Sequence, residues 1–172
     1  MVKYNMGMIG HYLRVSKEEL GIYLEDSSIL EDRLFGEHEE TDVNLLDIEK
    51  AWEGLFYLLT GKSLNNCEEA KPPLCWILNA ANEIDVDQDL GYGPASYTTI
   101  EQTKEICDAM NSISVEELQQ RYDGVVMMGL GIYPEIWDEA EAVDYLIENF
   151  LLLKLFYNKA SDDQQAMISF IL

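Results

Sequence analysis

The stretch DIEKAWEGLFYLLTG, residues 47–61, has the pattern of a complete helix with both of its ends. Asp47 has the side chain of an N-cap, because its carboxylate can accept a hydrogen bond from a free N–H group that opens a helix. The apolar residues recur at helical spacing and form one stripe: Ile48, Trp52, Leu55 and Leu59. Gly61 follows where a left-handed residue ends the last turn. The sequence therefore predicts a helix beginning at Asp47, with Trp52 buried under the C-terminal helix and Glu53 directed towards solvent.

Three further segments combine glycine, proline and aromatic residues: Met6-Gly7-Met8-Ile9-Gly10, Gly91-Tyr92-Gly93-Pro94-Ala95 with Tyr97, and Ile132-Tyr133-Pro134-Glu135 with Trp137. Together with the helix, and in this order, they resemble the YfbM-like bacterial proteins, which carry segments close to MGMIG, LDxxKxWxxLxxLLTG, GYGPAxY and IYPExW. The resemblance covers nearly the whole chain. It implies one YfbM-like domain over residues 1–172, with residues 1–5 as an N-terminal extension. The family has no established function, so the resemblance implies no particular activity.

The net charge of −22 is the strongest compositional feature of the chain, with 33 acidic and 11 basic residues. The acids stand between apolar positions at helical spacing, and the blocks 17–53 and 101–148 each carry a net charge of −10. Such a surface either keeps a protein soluble or attracts a basic partner. Nucleic acids and anionic membrane surfaces are disfavoured as partners, because both are bound by clustered Lys and Arg.

The length and the remaining composition indicate one soluble cytoplasmic domain. A chain of 172 residues suits a single core, and no run approaches the roughly 20 apolar residues that cross a bilayer. The first residues lack the pattern of a secretory signal. The three cysteines, Cys67, Cys75 and Cys107, are an odd number without a Cys-x-x-Cys spacing, which fits a reducing compartment better than a disulfide framework.

The two ends of the chain have the patterns of strands. Residues 8–15 alternate with a period of two, and residues 166–172 form a second apolar run. Between them the sequence predicts mostly helices, the longest at about 140–160, and short strands near 95–98 and 125–128. The long helix is apolar on more than one face and is expected to be central. The predicted class is α+β, a helix-dominated single domain with a small sheet formed by the N- and C-terminal strands plus one or two short strands.

Few residues offer catalysis or metal binding. The chain has no Gly-x-Ser-x-Gly elbow and only two histidines, of which His11 is expected in the core and His38 in solvent. Phe56 stands where many YfbM-like relatives carry His, so any chemistry of that His is absent here. Alternating acids over 85–89 begin like a calcium loop, but the turn glycine and the final glutamate are out of place. The sequence therefore predicts no catalytic residue, no metal and no cofactor.

Two hypotheses about function follow. The first is a non-enzymatic module that binds a basic protein through an acidic face, for example an immunity-like protein or an inhibitor of a basic toxin. The alternative is a small-molecule-binding protein or an enzyme with a site between Gly91–Tyr97 and Ile132–Trp137, where Glu135 or Asp138 acts as a general base if burial raises its pKa. Aromatic clusters either belong to cores or line clefts, and the sequence leaves both open. The ligand-binding residues predicted for the alternative are Tyr92, Tyr97, Tyr133, Glu135 and Trp137.

Overall fold

A five-stranded antiparallel sheet organises the computed structural model, which describes residues 7–172. The strands, in chain order, are β1 (Gly10–Val15), β2 (Leu45–Asp47), β3 (Asn82–Glu83), β4 (Ser96–Thr98) and β5 (Ala166–Ile171). They lie side by side in the order β2-β1-β5-β4-β3. Strand β1 pairs with β5 from Gly10 opposite Ile171 to Val15 opposite Ala166. The predicted pairing of the two ends of the chain is therefore confirmed.

Helices cover both faces of this sheet. They are α1 (Lys17–Glu25), α2 (Ser27–Phe35), α3 (Trp52–Thr60), α4 (Ile100–Asn111), α5 (Val115–Arg121), α6 (Gly124–Gly129) and α7 (Ala142–Asp162), with two short 3-10 helices at Leu64–Glu69 and Leu74–Ile77. On one face Tyr12 and Met167 join the larger core, to which α3, α4 and α7 contribute. On the other face Leu13 and Ile168 pack with residues of α1 and α2. The α+β class predicted from the sequence is confirmed.

Local sequence signals fix the starts of three helices. Ser16, Thr99 and Ser114 each accept a hydrogen bond from the backbone N–H three residues later, and the side chain at that later position accepts one in return from the cap N–H. These are the reciprocal capping boxes expected of such residues. Gly61 ends α3 with φ of 72°, donating its N–H to the carbonyl oxygen of Tyr57 at 2.7 Å, as predicted.

The predicted start of α3 at Asp47 is wrong. Asp47 is the last residue of β2, where it pairs with His11 in the sheet, and the helix begins five residues later at Trp52. The Asp47 carboxylate accepts the N–H of Glu49 at 2.6 Å, so it stabilises a turn instead of a helix. Pairing with β1 takes these residues out of the helix, which is a tertiary effect that a local cap signal does not contain.

The short strand predicted at 125–128 is also wrong, because these residues lie in α6, which Asp123 caps by accepting the N–H of Val126 at 3.1 Å. The short strand predicted near 95–98 is confirmed as β4. The predicted N-terminal extension, residues 1–5, falls outside the described residues. No helix within residues 7–172 is long and apolar enough to span a membrane.

Candidate functional site

Trp52 and Trp137, which lie in two of the segments that resemble the YfbM-like proteins, are core residues whose indole N–H groups have hydrogen-bond partners. Trp52 is 3% exposed, donates its Nε1–H to the carbonyl oxygen of Met8 at 3.0 Å, and stacks on Tyr133 with ring centroids 5.5 Å apart. Trp137 is 1% exposed and donates its Nε1–H to the carbonyl oxygen of Ile132 at 2.7 Å. Buried indoles with a hydrogen-bond partner are typical of packed cores. The burial predicted for Trp52 is confirmed, and Trp137 anchors its segment from within the same core.

Glu53, predicted to point towards solvent, is instead buried, with only 6% of its surface exposed. One carboxylate oxygen accepts the N–H of Tyr133 at 2.9 Å, and the other accepts the N–H of Leu64 at 3.4 Å. Burial raises its pKa above the usual value, against the opposing effect of these two hydrogen bonds. The prediction failed because α3 is buried around most of its circumference, so it lacks the single apolar stripe of a surface helix. Glu53 therefore ties the 132–137 segment to α3.

The two segments of the predicted ligand site line different depressions. Tyr92 and Pro94 contribute to one cleft, whereas Pro134 and Ile136 contribute to another. Tyr97 packs against the core on the α1–α2 side of the sheet. Of the five predicted ligand-binding residues, Tyr92 lines a cleft that also contains polar side chains of the sheet.

The two acids predicted as candidate general bases are on the surface. Glu135 and Asp138 are both exposed to solvent. Both side chains therefore lack the burial on which the predicted general-base role depends. Phe56, for which the family resemblance implies a His in many relatives, is fully buried in the larger core and has an apolar packing role.

The cleft lined by Tyr92 lies over four neighbouring strands of the sheet, β1, β5, β4 and β3; we call it the sheet cleft. Direct cross-strand pairing places four of its side chains in one row on one face: Tyr12 opposite Ser169, Ser169 opposite Ser96, and Ser96 opposite Glu83. Residues directly opposite in antiparallel strands point to the same side, with Cβ atoms about 5 Å apart. Trp52 and Tyr92 are further lining residues, and the cleft holds about 230 Å³. No local signal in the sequence predicts this row, since it depends on the register of distant strands.

The acids over 85–89 act as turn caps. Asp85 accepts the N–H of Asp87 at 3.0 Å and the hydroxyl hydrogen of Ser27 at 2.7 Å, while Asp89 accepts the N–H groups of Gly91 and Gly93. These bonds lower the pKa of both carboxyls. No cluster of three metal-ligating side chains occurs within residues 7–172. The loop sequence is therefore accounted for by its own backbone hydrogen bonds.

The exposed face of α7 carries an apolar patch bordered by acids. Leu151, Leu152 and Leu155 are 42%, 50% and 67% exposed, although the sequence predicted a central helix. At helical spacing before them stands exposed Glu148, and exposed acids also occupy the start and the end of the helix at Asp144 and Asp162. We call Glu148, Leu151, Leu152 and Leu155 the leucine face. Leu146, Phe150 and Leu153 occupy the opposite, buried side of α7, so this helix has apolar residues in the core and at the surface.

The acidic charge is mostly not neutralised within the protein. Only six of the 33 acidic side chains form an ion pair within the part of the chain that the structure describes, one of them with His11. Exposed ion pairs contribute little stability, and unpaired surface carboxylates create a negative field around the molecule. The leucine face therefore lies in a strongly negative environment.

A protein-family model matches nearly the whole chain. The family is described as "Domain of unknown function (DUF1877)" and matches residues 6–170, so the chain belongs to this family. Among solved structures, the chain is similar to the protein of unknown function YfbM from Escherichia coli, with a TM-score of 0.69 and 21% sequence identity over 95% of this chain and 99% of that chain. The YfbM-like resemblance of the sequence is confirmed, and at this identity the similarity shows a shared fold. Comparison with curated proteins finds no match.

Proposed function

We propose that this protein is a non-enzymatic cytoplasmic binding module whose leucine face takes up a basic amphipathic helix of a protein partner. The observation that carries the proposal is the exposure of three leucines within two consecutive turns of one helix, with an acid at each end of that helix. Contiguous exposed apolar surface of this kind marks interaction sites in soluble proteins. An immunity-like protein or an inhibitor of a basic toxin is one concrete form of such a module.

Charge complementarity selects the partner. The leucines would pack against an apolar stripe on the partner, while Glu148, Asp144 and Asp162 would face lysines or arginines beside that stripe. A second copy of this chain is a poorer occupant, because it adds another net charge of −22. Two lysines of α7 lie near this face: Lys159 is paired with Asp163 at 2.8 Å, and the half-buried Lys154 places its Nζ 5.7 Å from the centre of the Phe150 ring.

An enzymatic role for the segments Gly91–Tyr97 and Ile132–Trp137 has less support. Glu135 and Asp138 are exposed and Trp137 is fully packed, so these segments present no buried acid beside an open aromatic cleft. General acid–base catalysis needs a group with a shifted pKa within reach of a bound substrate. We therefore give the binding role precedence over catalysis.

A defined peptide tests the proposal without knowledge of the natural partner. The probe is an 18-residue peptide of leucine and lysine with all leucines on one helical face, compared with a scrambled peptide of the same composition and with a leucine–glutamate peptide of the same pattern. Binding is followed by fluorescence anisotropy at low and high salt. We expect the patterned basic peptide to bind best and to lose affinity at high salt, since electrostatic attraction between exposed charges is screened.

Two matched variants locate the site. Leu155→Asp should weaken binding by at least about tenfold, because it removes one apolar anchor worth about 1.5–3 kcal/mol. Leu24→Asp, at an exposed leucine of α1 (44% exposed, against 67% for Leu155), should leave binding within about twofold of the parent. Equal effects of the two variants, or equal binding of the acidic peptide, would overturn the proposal. Sedimentation tests a second copy of the chain as the occupant. A concentration-dependent dimer that the Leu155→Asp variant no longer forms would show that the leucine face binds another copy and not a basic partner.

The natural partner can then be sought with the same two variants, Leu155→Asp and Leu24→Asp. Affinity capture from lysate at low and high salt identifies a relevant protein if the Leu24→Asp variant retains it and the Leu155→Asp variant loses it. Capture that does not distinguish the two variants reports only general attraction to the acidic surface.

A further inference from the structure

The sheet cleft contains hydrogen-bonding groups that the fold itself does not use. Neither the hydroxyl of Ser96 nor that of Ser169 forms a hydrogen bond with another side chain or backbone group of residues 7–172, although both residues are half-buried. Tyr12 differs, because its hydroxyl donates to the carbonyl oxygen of Ile77 at 2.7 Å and is fully buried. A half-buried hydroxyl that faces a cleft without a protein partner is available to a ligand or to water.

The row of strand residues sets the spacing of these groups. Ser169, Ser96 and Glu83 follow one another across β5, β4 and β3, so three oxygen-bearing side chains line one side of the cleft over about 10 Å. Glu83 is exposed at the end of the row, and Tyr92 is exposed beside the turn that leads into β4. The polar groups thus run from the covered floor of the cleft out to its rim.

The charges of the lining decide what kind of ligand fits. Lysine and arginine are missing from the residues that line the cleft within residues 7–172, and Glu83 is the acidic residue there. The histidine of the lining, His11, stacks on Phe170 with ring centroids 5.2 Å apart. Among these lining residues a phosphate or carboxylate would meet no lysine or arginine to offset the loss of its hydration. A cation would meet a carboxylate, two hydroxyl oxygens and the rings of Trp52 and Tyr92.

We propose that the sheet cleft binds a small aliphatic amine that also carries hydroxyl groups. Its ammonium group would donate to the carboxylate of Glu83 and the hydroxyl of Ser96, and a hydroxyl of the ligand would bond to Ser169. The volume of about 230 Å³ favours a molecule of this size, because sites for drug-sized ligands hold roughly 300–1,000 Å³. This site shares no residue with the leucine face, so it is independent of the function proposed above.

Two molecules with one skeleton test the charge preference. Serinol (2-amino-1,3-propanediol) and glycerol have the same three-carbon chain, with an ammonium group in the first where the second has a hydroxyl. Glycerol 2-phosphate provides the corresponding anion. Each is titrated into isotopically labelled protein at physiological salt, and amide shifts are followed by NMR. Serinol should shift residues of β3, β4 and β5 around the cleft, with glycerol at least about tenfold weaker and the phosphate without effect.

Variants separate the cleft from the acidic surface in general. Glu83→Gln should weaken serinol binding by at least about tenfold, because a charge-assisted hydrogen bond is lost. Glu101→Gln, the same change at an exposed glutamate of α4, should leave binding unchanged. Ser169→Ala should weaken serinol binding more than it weakens the binding of propylamine, which lacks hydroxyl groups.

Three results would each overturn the proposal. These are equal shifts with serinol and glycerol, equal effects of Glu83→Gln and Glu101→Gln, and amide shifts that map away from the cleft. An N-acetyl-lysine amide titrated in the same way distinguishes the sources of the ammonium group. Tighter binding of this lysine derivative than of serinol would assign the cleft to a lysine side chain of a protein instead of a small amine.

Discussion

Replacing Glu53 by alanine should destabilise the protein although the side chain belongs to no candidate ligand site. The change removes the acceptor of the Tyr133 N–H, a hydrogen bond of 2.9 Å, and that of the Leu64 N–H at 3.4 Å. A buried N–H left without a partner costs about 1–3 kcal/mol. The longer bond adds little, and release of a buried carboxylate offsets part of the loss, so we expect a net cost of about 2 kcal/mol.

Urea unfolding and thermal melts measure this cost. For a chain of this length, about 2 kcal/mol corresponds to a fall in Tm of roughly 4–8 °C. Glu105→Ala is the matched control, because Glu105 is an exposed glutamate within α4 and its loss should change stability by less than about 0.5 kcal/mol. If Glu53→Ala and Glu105→Ala melt alike, Glu53 does not hold the 132–137 segment and the reasoning fails.

The pH dependence of a second variant separates charge from hydrogen bonding at the same position. Because burial raises the pKa of Glu53 in the folded state, its stabilising contribution is fully present below the unfolded pKa and is lost as pH rises through the folded pKa. Glu53→Gln keeps an acceptor oxygen without the charge. We therefore expect the free energy of unfolding of Glu53→Gln, relative to that of the parent, to be more favourable at pH 7.5 than at pH 5.5. Both pH values lie above the sequence pI of about 4.1. The opposite trend would contradict a pKa raised by burial.

Four further outcomes follow from packing and burial. Trp52→Ala should cost about 3–5 kcal/mol in urea unfolding, because it leaves a large cavity and an unpaired carbonyl; a parent-like melt would contradict its burial. Gly54→Ala should destabilise by about 1–3 kcal/mol, since the new Cβ would lie 2.7 Å from the ring of Trp137. Gly21→Ala in α1, where a Cβ meets nothing within 4 Å, should stabilise by about 0.5–1 kcal/mol, and the opposite signs of the two glycine variants form the test. An NMR titration of His11 should give a pKa below 6.5, because burial disfavours the charged imidazole. The stability that the neutral His11 contributes to the folded protein should be lost as the pH falls through that lowered pKa.

The parts of the fold that the sequence predicted are those encoded by neighbouring residues or by strand periodicity. The capping serines, Gly61 at the end of α3 and the alternation of β1 each act within a few residues of chain. The incorrect assignments of Asp47 and Glu53 have a common cause: each is decided by a distant partner, β1 for Asp47 and the 132–137 segment for Glu53. Tertiary contacts there override a correct local pattern.

The candidate sites show the same division between local and distant information. The sequence marked Tyr92 through its turn, but Ser96, Ser169 and Glu83 become neighbours only through the register of β3, β4 and β5. The leucine face was missed for a different reason. An apolar run in a long helix predicts burial, and only the packed structure shows which of its sides lacks a covering element.

The central position of the β1–β5 pair affects how the protein is made. Partners in this pair, such as Gly10 and Ile171, are about 150–160 residues apart, and at about 5–20 residues per second the ribosome needs roughly 8–30 s to synthesise the intervening chain. During that interval β1 has an open hydrogen-bonding edge beside the apolar side chains of Leu13 and Val15. Nascent chains on neighbouring ribosomes of one message could pair through such edges. The dense negative charge of residues 17–53, synthesised directly after β1, would oppose that encounter through repulsion between like charges.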